Sequence, residues 1–542
     1  FEAEIDRSAP PELRRDTGET QASGGQLTLE TVSQPLVHPT SSAEYLVREF
    51  RSHQGIGLGV LAALIVVVVA ATYFYYSEAG GATIKSMAVL PLRPLTPDES
   101  SRALGLGLTD TLIMKIGGLR QITVRPISAV TPFADAPQDA LEIGKKLTVD
   151  AVLEGTIQNF EGRVRFNVRL LRVKNGEQIW AEQFEGDAAQ IFDLQDRLTA
   201  HTAEALRLKL GASENERIAK RFTNNAAALD AYLKGRYFSN RRTVGDLRLA
   251  IGFFNEAISK DANYALAYAG LADAYSLLAD YNGARPAEAY PKAKDAATKA
   301  LELDDGLAEA HTSAAYVKMY YYRDWQGAED GYRRALALNP NYATARQWYA
   351  EYLTAMGRFD EALEETRRAK EIDPLSPIIN AGEVWTLYLA RRYDEAIERG
   401  RRIAELNPHF VEVHEYLKRC YDQKGMYAEA ITARQMRRKL AGLDATETPI
   451  LKQAAAADNP KAYWEKRLEQ EIEEGRGELP EYFNMAEIYA QLGEKDLAFE
   501  QLENAVKDRD YEVMYLRVAP NLDPLRADPR FADILRRVGL LF

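Results

Sequence analysis

The chain has 542 residues, 46% of them hydrophobic and 27% charged, a composition that supports several folded domains with full cores. A formal net charge of −12 excludes wholesale non-specific binding to nucleic acid. A single cysteine, Cys420, excludes a disulfide framework and a thiolate zinc site.

The chain opens on Phe1 rather than Met, as a fragment of a longer protein would. Residues 1–55 are dominated by Pro, Ser, Thr, Gly, Gln and Glu, and no apolar period persists in them. Such a segment cannot bury enough surface to offset its ordering entropy, so it reads as a disordered juxtamembrane linker. Residues 56–76, IGLGVLAALIVVVVAATYFYY, contain no charge. As a helix they would extend about 31 Å, the thickness of a bilayer's hydrocarbon core, and they are expected to form a single transmembrane helix. Arg48, Arg51 and His53 flank its near end, whereas no base follows its far end until Lys85. The positive-inside bias therefore places residues 1–55 in the cytoplasm and residues 77–542 outside it. In a bacterium this makes a single-pass protein of the inner (cytoplasmic) membrane with a periplasmic carboxyl-terminal region. Tyr73 to Tyr76 would form an aromatic belt, and Gly55, Gly57 and Gly59 mark an end suited to helix packing or homodimerisation.

Residues 83–210 predict a compact α+β domain of order βαβαβββα, one sheet with helices on one face. Strands are expected over Ile84–Leu92, Arg120–Arg125, Ala151–Phe160, Val164–Val173 and Gln178–Phe184. Helices are expected over Leu104–Ile116, Ala140–Leu147 and Gln190–Leu210, and Gly162 and Asn175-Gly176 supply hairpin turns. Asp110, Asp150 and Glu154 are the available carboxylates. Asp110 suits a helix's first turns and Glu154 an outward strand position, so neither predicts catalysis. The phrases MAVLPL (87–92), GLTDTLI (107–113), LTVDAVLEGTI (147–157), GEQIWAEQF (176–184) and LQDRLTAHTAEALRLKL (194–210) resemble, in order, the TolB-like domain of bacterial membrane-tethered sensors. The resemblance implies an interaction module without catalytic residues.

The remainder is repetitive. Pro340, Pro374 and Pro408 stand 34 apart and close the phrases ALALNP, AKEIDP and IAELNP. Ala328, Ala362, Ala396 and Ala430 recur at the same interval, with Phe359, Tyr393 and Tyr427 near the turns. Alanine permits close helix approach, an aromatic fills the next layer, and proline ends the second helix. This pattern is similar to the tetratricopeptide repeat and predicts an all-α solenoid over 226–445. An insertion over Asp280–Pro291 is expected to lengthen one turn. A degenerate helical repeat follows over 446–478, then a final repeat and a terminal cap over 479–542.

Such a solenoid offers a concave groove lined by its first helices. The groove positions are Gln347 and Glu351, then Trp385 and Tyr388, then Glu415 and Arg419. They describe a groove for a protein or peptide ligand with aromatic anchors, or, for Trp385 and Tyr388, packing between neighbouring units. His409 and His414 would diverge by about 140° around a helix, so with Cys420 they do not form a metal site. Lys234, Arg236, Arg241 and Arg242 read as a solvated basic loop, or as a contact to anionic lipid or a partner.

The phrases PELRRDTGETQASGG (11–25) and PTSSAEYLVREFRSH (39–53) look like the tail and linker of bacterial serine/threonine protein kinases with an ectodomain of this kind. The resemblance implies a receptor whose kinase domain, with its ATP and Mg, lies upstream. The residues present contain no kinase motif and predict no enzyme activity and no cofactor. The alternatives are the same module on a winged-helix (CadC-like) transcriptional regulator, and a membrane-anchored scaffold that does not signal.

Overall fold

The computed structural model describes residues 63–69, 83–95, 99–134, 139–160, 162–187, 191–281, 283–442, 459–474 and 481–541. The chain divides into two units, 1–82 and 83–542. In the first, residues 63–69 are helical and exposed. The linker over 1–55, the aromatic belt and most of the 56–76 segment lie outside the described residues. Among the described residues no helix is long and apolar enough to cross a membrane.

The second unit begins with a mixed sheet. Strand β1 (Ser86–Val89) lies between β3 (Thr123–Val124) and β4 (Ala151–Phe160), all parallel, and the short β2 (Arg93–Pro94) continues along β4. β5 (Arg163–Arg172) and β6 (Gln178–Asp187) extend the sheet as an antiparallel meander. Gly162 and Gly176 make its turns at φ 78° and 72°, where a side chain would strain the backbone. Helices α1 (Glu99–Gly117), α2 (Ile127–Val130), α3 (Ala140–Lys146), α4 (Ile191–Ala205) and α5 (Ala212–Ala219) complete the domain.

The helices do not share one face, contrary to the sequence expectation. A Cβ on Gly105 of α1 would meet Ile157 of β4, whereas one on Gly144 of α3 would meet Val152, whose parity is opposite. A strand's side chains alternate between its faces, so α1 and α3 cover different sides. The rest of α3's face stays uncovered at Thr156 and Asn167. Glu154 on this face is 6% exposed, beneath Arg169 at 2.6 Å and Arg93 at 3.4 Å, rather than half-exposed.

Six helical hairpins follow. They are α6 (Ala226–Ser239) with α7 (Val244–Lys260), α8 (Ala265–Asp280) with α9 (Pro286–Leu303), and α10 (Ala308–Val317) with α11 (Trp325–Leu338). Next come α12 (Ala343–Ala355) with α13 (Phe359–Ile372), α14 (Pro377–Leu389) with α15 (Tyr393–Leu406), and α16 (Glu412–Gln423) with α17 (Tyr427–Leu440). The recurrent alanines are fully buried between helices, as the repeat requires: Ala328, Ala362, Ala396 and Ala430 are each 0% exposed. The insertion lengthens the turn to residues 281–285, against 356–358, 390–392 and 424–426 in later hairpins, and its remainder enters α9, where Pro286 takes the first position and Pro291 lies inside the helix. Helix α18 (Pro460–Glu474) occupies the degenerate stretch, whose residues 446–458 and 475–478 lie outside the described set. Helices α19 (Tyr482–Leu492) and α20 (Lys495–Lys507), two 3-10 turns over Tyr511–Tyr515 and Pro520–Leu525, and α21 (Pro529–Arg537) end the chain.

The sheet domain runs along the loop edge of the solenoid. Each second helix ends there with unpaired carbonyls and the negative end of its dipole. Arg217 donates to Leu338 O at 3.1 Å, and Arg125 donates to Ile372 O at 3.0 Å. Thr223 donates to Asp261 at 2.5 Å, Lys220 pairs with Asp304, and Ser128 donates to Asp373 at 2.8 Å. Asn341 returns the contact, its Nδ2 donating to Gly117, Leu119 and Ile122 carbonyls at 3.1–3.3 Å. A second junction joins α1 to α6. There a Cβ on Gly107 would stand 2.2 Å from Leu233 Cδ1, so only glycine permits this approach.

Candidate functional site: the concave face of the repeats

The six groove positions gather on the inner side of the solenoid, but they do not line an open channel. Residues 509–540 turn back and cover them. Trp385 is 8% exposed and Tyr388 0%. The two rings stack at 5.2 Å, Tyr416 of the next unit lies 5.1 Å from Trp385, and Tyr515 of the returning segment meets it edge-on at 5.2 Å. Their contacts are thus packing contacts, both between units and with the chain's own carboxyl-terminal turns. The final segment does more than cap the last repeat. Trp325 Nε1, five units earlier than the end, donates to Val538 O at 2.9 Å, and Leu516, Leu522 and Leu525 are fully buried.

Arg419 is 7% exposed and central to a charged cluster. It contacts Glu415 at 2.9 Å, Glu487 of α19 at 2.8 Å and Glu512 of the first 3-10 turn at 2.9 Å, and it lies over the Trp385 ring at 5.5 Å. Although Glu415 is buried, Lys418, Arg437 and Arg419 hold its carboxyl well below the usual range. Burial pushes Glu512 the other way, upward, against the pull of Arg419 and with the nearby Asp510, Glu487 and Glu481 carboxylates adding to it.

Gln347 and Glu351 sit two repeats earlier, on α12. Gln347 Nε2 donates to Glu351 Oε1 at 3.0 Å and Tyr320 OH donates to its Oε2 at 2.8 Å. Tyr320 belongs to a π-helical turn, Lys318–Tyr322, that follows α10 and ends with Arg323 at φ 57°. The wider turn directs Tyr320 and Tyr321 toward the returning segment, where Tyr511 lies 6.5 Å from Tyr320 and Arg509 is over the Tyr321 ring at 4.5 Å. On α8, Asp280 accepts from Tyr290 and Tyr316 hydroxyls, both at 2.5 Å. Burial pushes Asp280 and its neighbour Asp273 up to about 6.

Two sequence expectations change here. Asp110 lies deep within α1 and is 4% exposed, and its partner is Arg236 rather than a helix dipole. Arg236 accordingly leaves the basic loop assigned to it and forms part of the domain junction. Asp150 accepts from the Lys85 and Ser86 amides at 2.9 and 3.0 Å, so its role is to anchor β1. Cys420 is buried, and burial raises its thiol to about 12. Among the described residues no His, Cys, Asp and Glu group is arranged to hold a metal ion.

Comparison with known proteins separates the two halves. A model of the second domain of HilA/YgeH-like transcriptional regulators matches residues 83–201, the stretch read above as TolB-like. A tetratricopeptide-repeat model matches residues 322–381. A Rhizobium meliloti (strain 1021) protein assigned by name as adenylate cyclase 3 is 26% identical over 255 residues, 47% of this chain and 36% of that protein. The transcriptional regulator HilA of Salmonella typhimurium is 24% identical over 165 residues, 30% of each chain. The chain therefore spans about a third of the length of the curated relatives it matches. Among solved structures, YrrB, described as a tetratricopeptide-repeat protein with an unusual peptide-binding site, aligns at 21% identity and TM-score 0.25, over 35% of this chain and 92% of that one. Pseudomonas aeruginosa pilF aligns at 19% and TM-score 0.31, over 43% and 98%. The solenoid is an array of tetratricopeptide-like helical hairpins, matched to the repeat model over residues 322–381, and it is joined to a mixed-sheet domain.

Proposed function

We propose that this chain is the interaction and sensory region of a membrane-anchored signalling protein, and that residues 56–76 join it to a cytoplasmic output domain. The observation that supports this reading is the docking of the sheet domain, with Lys220 and Thr223 of the connection that follows it, against four successive inter-repeat loops. That contact makes residues 83–541 able to respond as one body to a protein ligand, and a single helix could pass the response on by changing dimerisation. The region itself contributes no catalysis and no cofactor. ATP and Mg belong to the output domain when that domain is a serine/threonine kinase, as the linker phrases at 11–25 and 39–53 indicate. A second reading makes the output domain a winged-helix transcriptional regulator, and the HilA/YgeH-like match at 83–201 favours it.

Reporter fusions at both ends test the arrangement. The carboxyl-terminal fusion is expected to report the periplasm and the amino-terminal one the cytoplasm; a cytoplasmic carboxyl terminus overturns the receptor. Sequencing the gene upstream separates the outputs. A His-Arg-Asp and Asp-Phe-Gly set supports the kinase, and a helix-turn-helix with a basic recognition helix replaces it with the regulator.

A further inference from the structure

The end of the sheet where the chain enters gathers exposed bases from separate segments. The parallel strands β1, β3 and β4 all begin there, and hydrogen bonds set their neighbours. Lys85 N donates to Asp150, just before β4, at 2.9 Å, and Thr123 N donates to Lys85 O at 2.8 Å. Lys209 N donates to Gln121, just before β3, at 3.1 Å. Val173 N, at the turn from β5 to β6, donates to Asp150 O at 2.9 Å, and Val149 N returns to Gly144 O at the end of α3 at 3.1 Å. The fold thus brings Lys85, Arg120, Lys145, Lys146, Lys174 and Lys209 to one edge. All six are exposed, and none forms an ion pair among the described residues.

Most carboxylates at this edge are engaged. Asp150 accepts the Lys85 and Ser86 amides, and Glu177 pairs with Arg172 at 3.2 Å. Glu214 accepts from the Gly211 amide at 3.1 Å and from Gln121 Nε2 at 3.3 Å. Glu204 is matched by Arg207, which leaves Glu142 of α3 against the six bases. Positive charge is therefore in excess here, in a chain whose net charge is −12. A helix dipole favours bases at a helix's carboxyl end, which accounts for Lys145 and Lys146 on α3 and Arg120 after α1. Lys85 and Lys174 follow no helix, so the dipole does not account for the set.

The place of this edge in the chain specifies its counter-charge. Tyr76 closes the apolar segment and Thr83 opens the sheet domain, seven residue steps that extend at most about 25 Å. Bases tethered that close to a bilayer meet its headgroups at high effective concentration. Each Lys or Arg that comes within a Debye length of an anionic surface, about 8–10 Å, adds to the attraction. We propose that this edge of the sheet domain binds the anionic phospholipid headgroups of the membrane that residues 56–76 cross, so that the domain rests on the bilayer surface. The contact rests on the membrane-anchored reading and gives the single helix a second, charge-dependent support.

The full chain is reconstituted in nanodiscs of phosphatidylcholine, or of phosphatidylcholine mixed with phosphatidylglycerol, each carrying a nickel-chelating lipid as a relaxing agent at headgroup level. Cys420 is buried, so a spin label goes to Asn175→Cys, on the exposed turn beside Lys174, or to Glu494→Cys, on the α19–α20 turn, as a control. Relaxation at position 175 is expected to be at least about threefold faster in the phosphatidylglycerol discs, and to lose that excess in ~0.5 M NaCl, where the Debye length falls to about 4 Å. The excess is also expected to vanish when Lys145→Gln, Lys146→Gln and Lys174→Gln are combined, while position 494 stays unchanged throughout. Equal relaxation at 175 in both lipids, the same excess in the glutamine variant, or an equal rise at 494 overturns the contact. Indifference to lipid together with binding of polyglutamate to the six bases reassigns the edge to an acidic protein. A chain that enters the discs but shows no lipid dependence loses only the headgroup contact. A chain that does not enter them overturns the anchored reading and the contact with it.

Discussion

Between residues 226 and 373 the repeats are held from outside, along the edge where their loops lie, whereas between 308 and 440 they are held from inside, by the chain's own last turns. The outer contact is polar and repeats with the solenoid: one donor or ion pair to each loop, aimed at a helix's terminal carbonyls or at the Asp that follows. The inner contact is apolar and continuous, with Trp385, Tyr515, Leu516 and Leu522 in one core. A net hydrogen bond is worth about 1 kcal/mol, whereas a buried large apolar side chain contributes about 1.5–3 kcal/mol. The difference teaches that the sheet domain sets where the repeats lie, while residues 509–540 contribute the more stabilising of the two contacts and close the groove. A ligand therefore meets a filled concave face at the far end.

The largest effects should come from the inner contact. Arg419→Ala would leave Glu487 and Glu512 without their shared cation, while Lys418 and Arg437 still face Glu415, at a cost of about 3–5 kcal/mol. Trp385→Ala would remove the ring that meets Tyr388, Tyr416 and Tyr515, at a similar cost of about 3–5 kcal/mol. Urea unfolding of each variant measures the loss. If either variant costs under about 1 kcal/mol, the returning segment contributes little and the comparison fails.

A medium effect separates the two ends by pH. At the far end, cations surround the groove carboxylates. At the near end Asp280 takes its hydrogen bonds from tyrosine hydroxyls, with Arg242 a weaker influence, and burial raises it to about 6. The folded state then holds the Asp280 proton more tightly than the unfolded state, whose carboxyl titrates near 4. Stability from this group is full below about pH 4, falls as pH rises to about 6 and is constant above. Asp280→Asn should flatten the urea midpoint across that window. An equal slope in variant and parent would place the pH dependence elsewhere.

Much of this arrangement was legible in the sequence, for reasons that also explain what was not. Pro340, Pro374 and Pro408 report a local rule, the end of a second helix, which every unit must obey. The strands of 151–184 show through their hairpin turns at Gly162 and Gly176 for the same reason. Contacts between distant segments leave no period. Nothing in LRVAPNLDPL indicates that it returns to Trp385, and Asp110 and Arg236 look like ordinary members of a helix stripe and a basic loop. Groove positions inferred from the repeat alone assume that nothing occupies the groove, which is why Gln347, Glu351, Trp385, Tyr388, Glu415 and Arg419 were read as an open surface without their cover. One signal was available: Asn339, Asp373 and Asn407 recur 34 apart at the loop edge. The sheet domain's Ser128 uses Asp373 in that series.

The smallest expected effect tests the outer contact directly. Asn341→Ala removes three donations from one amide to the Gly117, Leu119 and Ile122 carbonyls, at the α1–β3 connection. Three long bonds from one group do not add fully, and the freed carbonyls gain water at the edge, so the cost should be about 1 kcal/mol. Its more telling readout is local. Amide hydrogen exchange should quicken over 117–124 while Trp385 and Tyr515 keep their protection, because the outer contact positions the repeats and the inner one holds them. Equal acceleration at both places would mean that the two contacts act as one, and the distinction between the outer edge and the inner face would be lost.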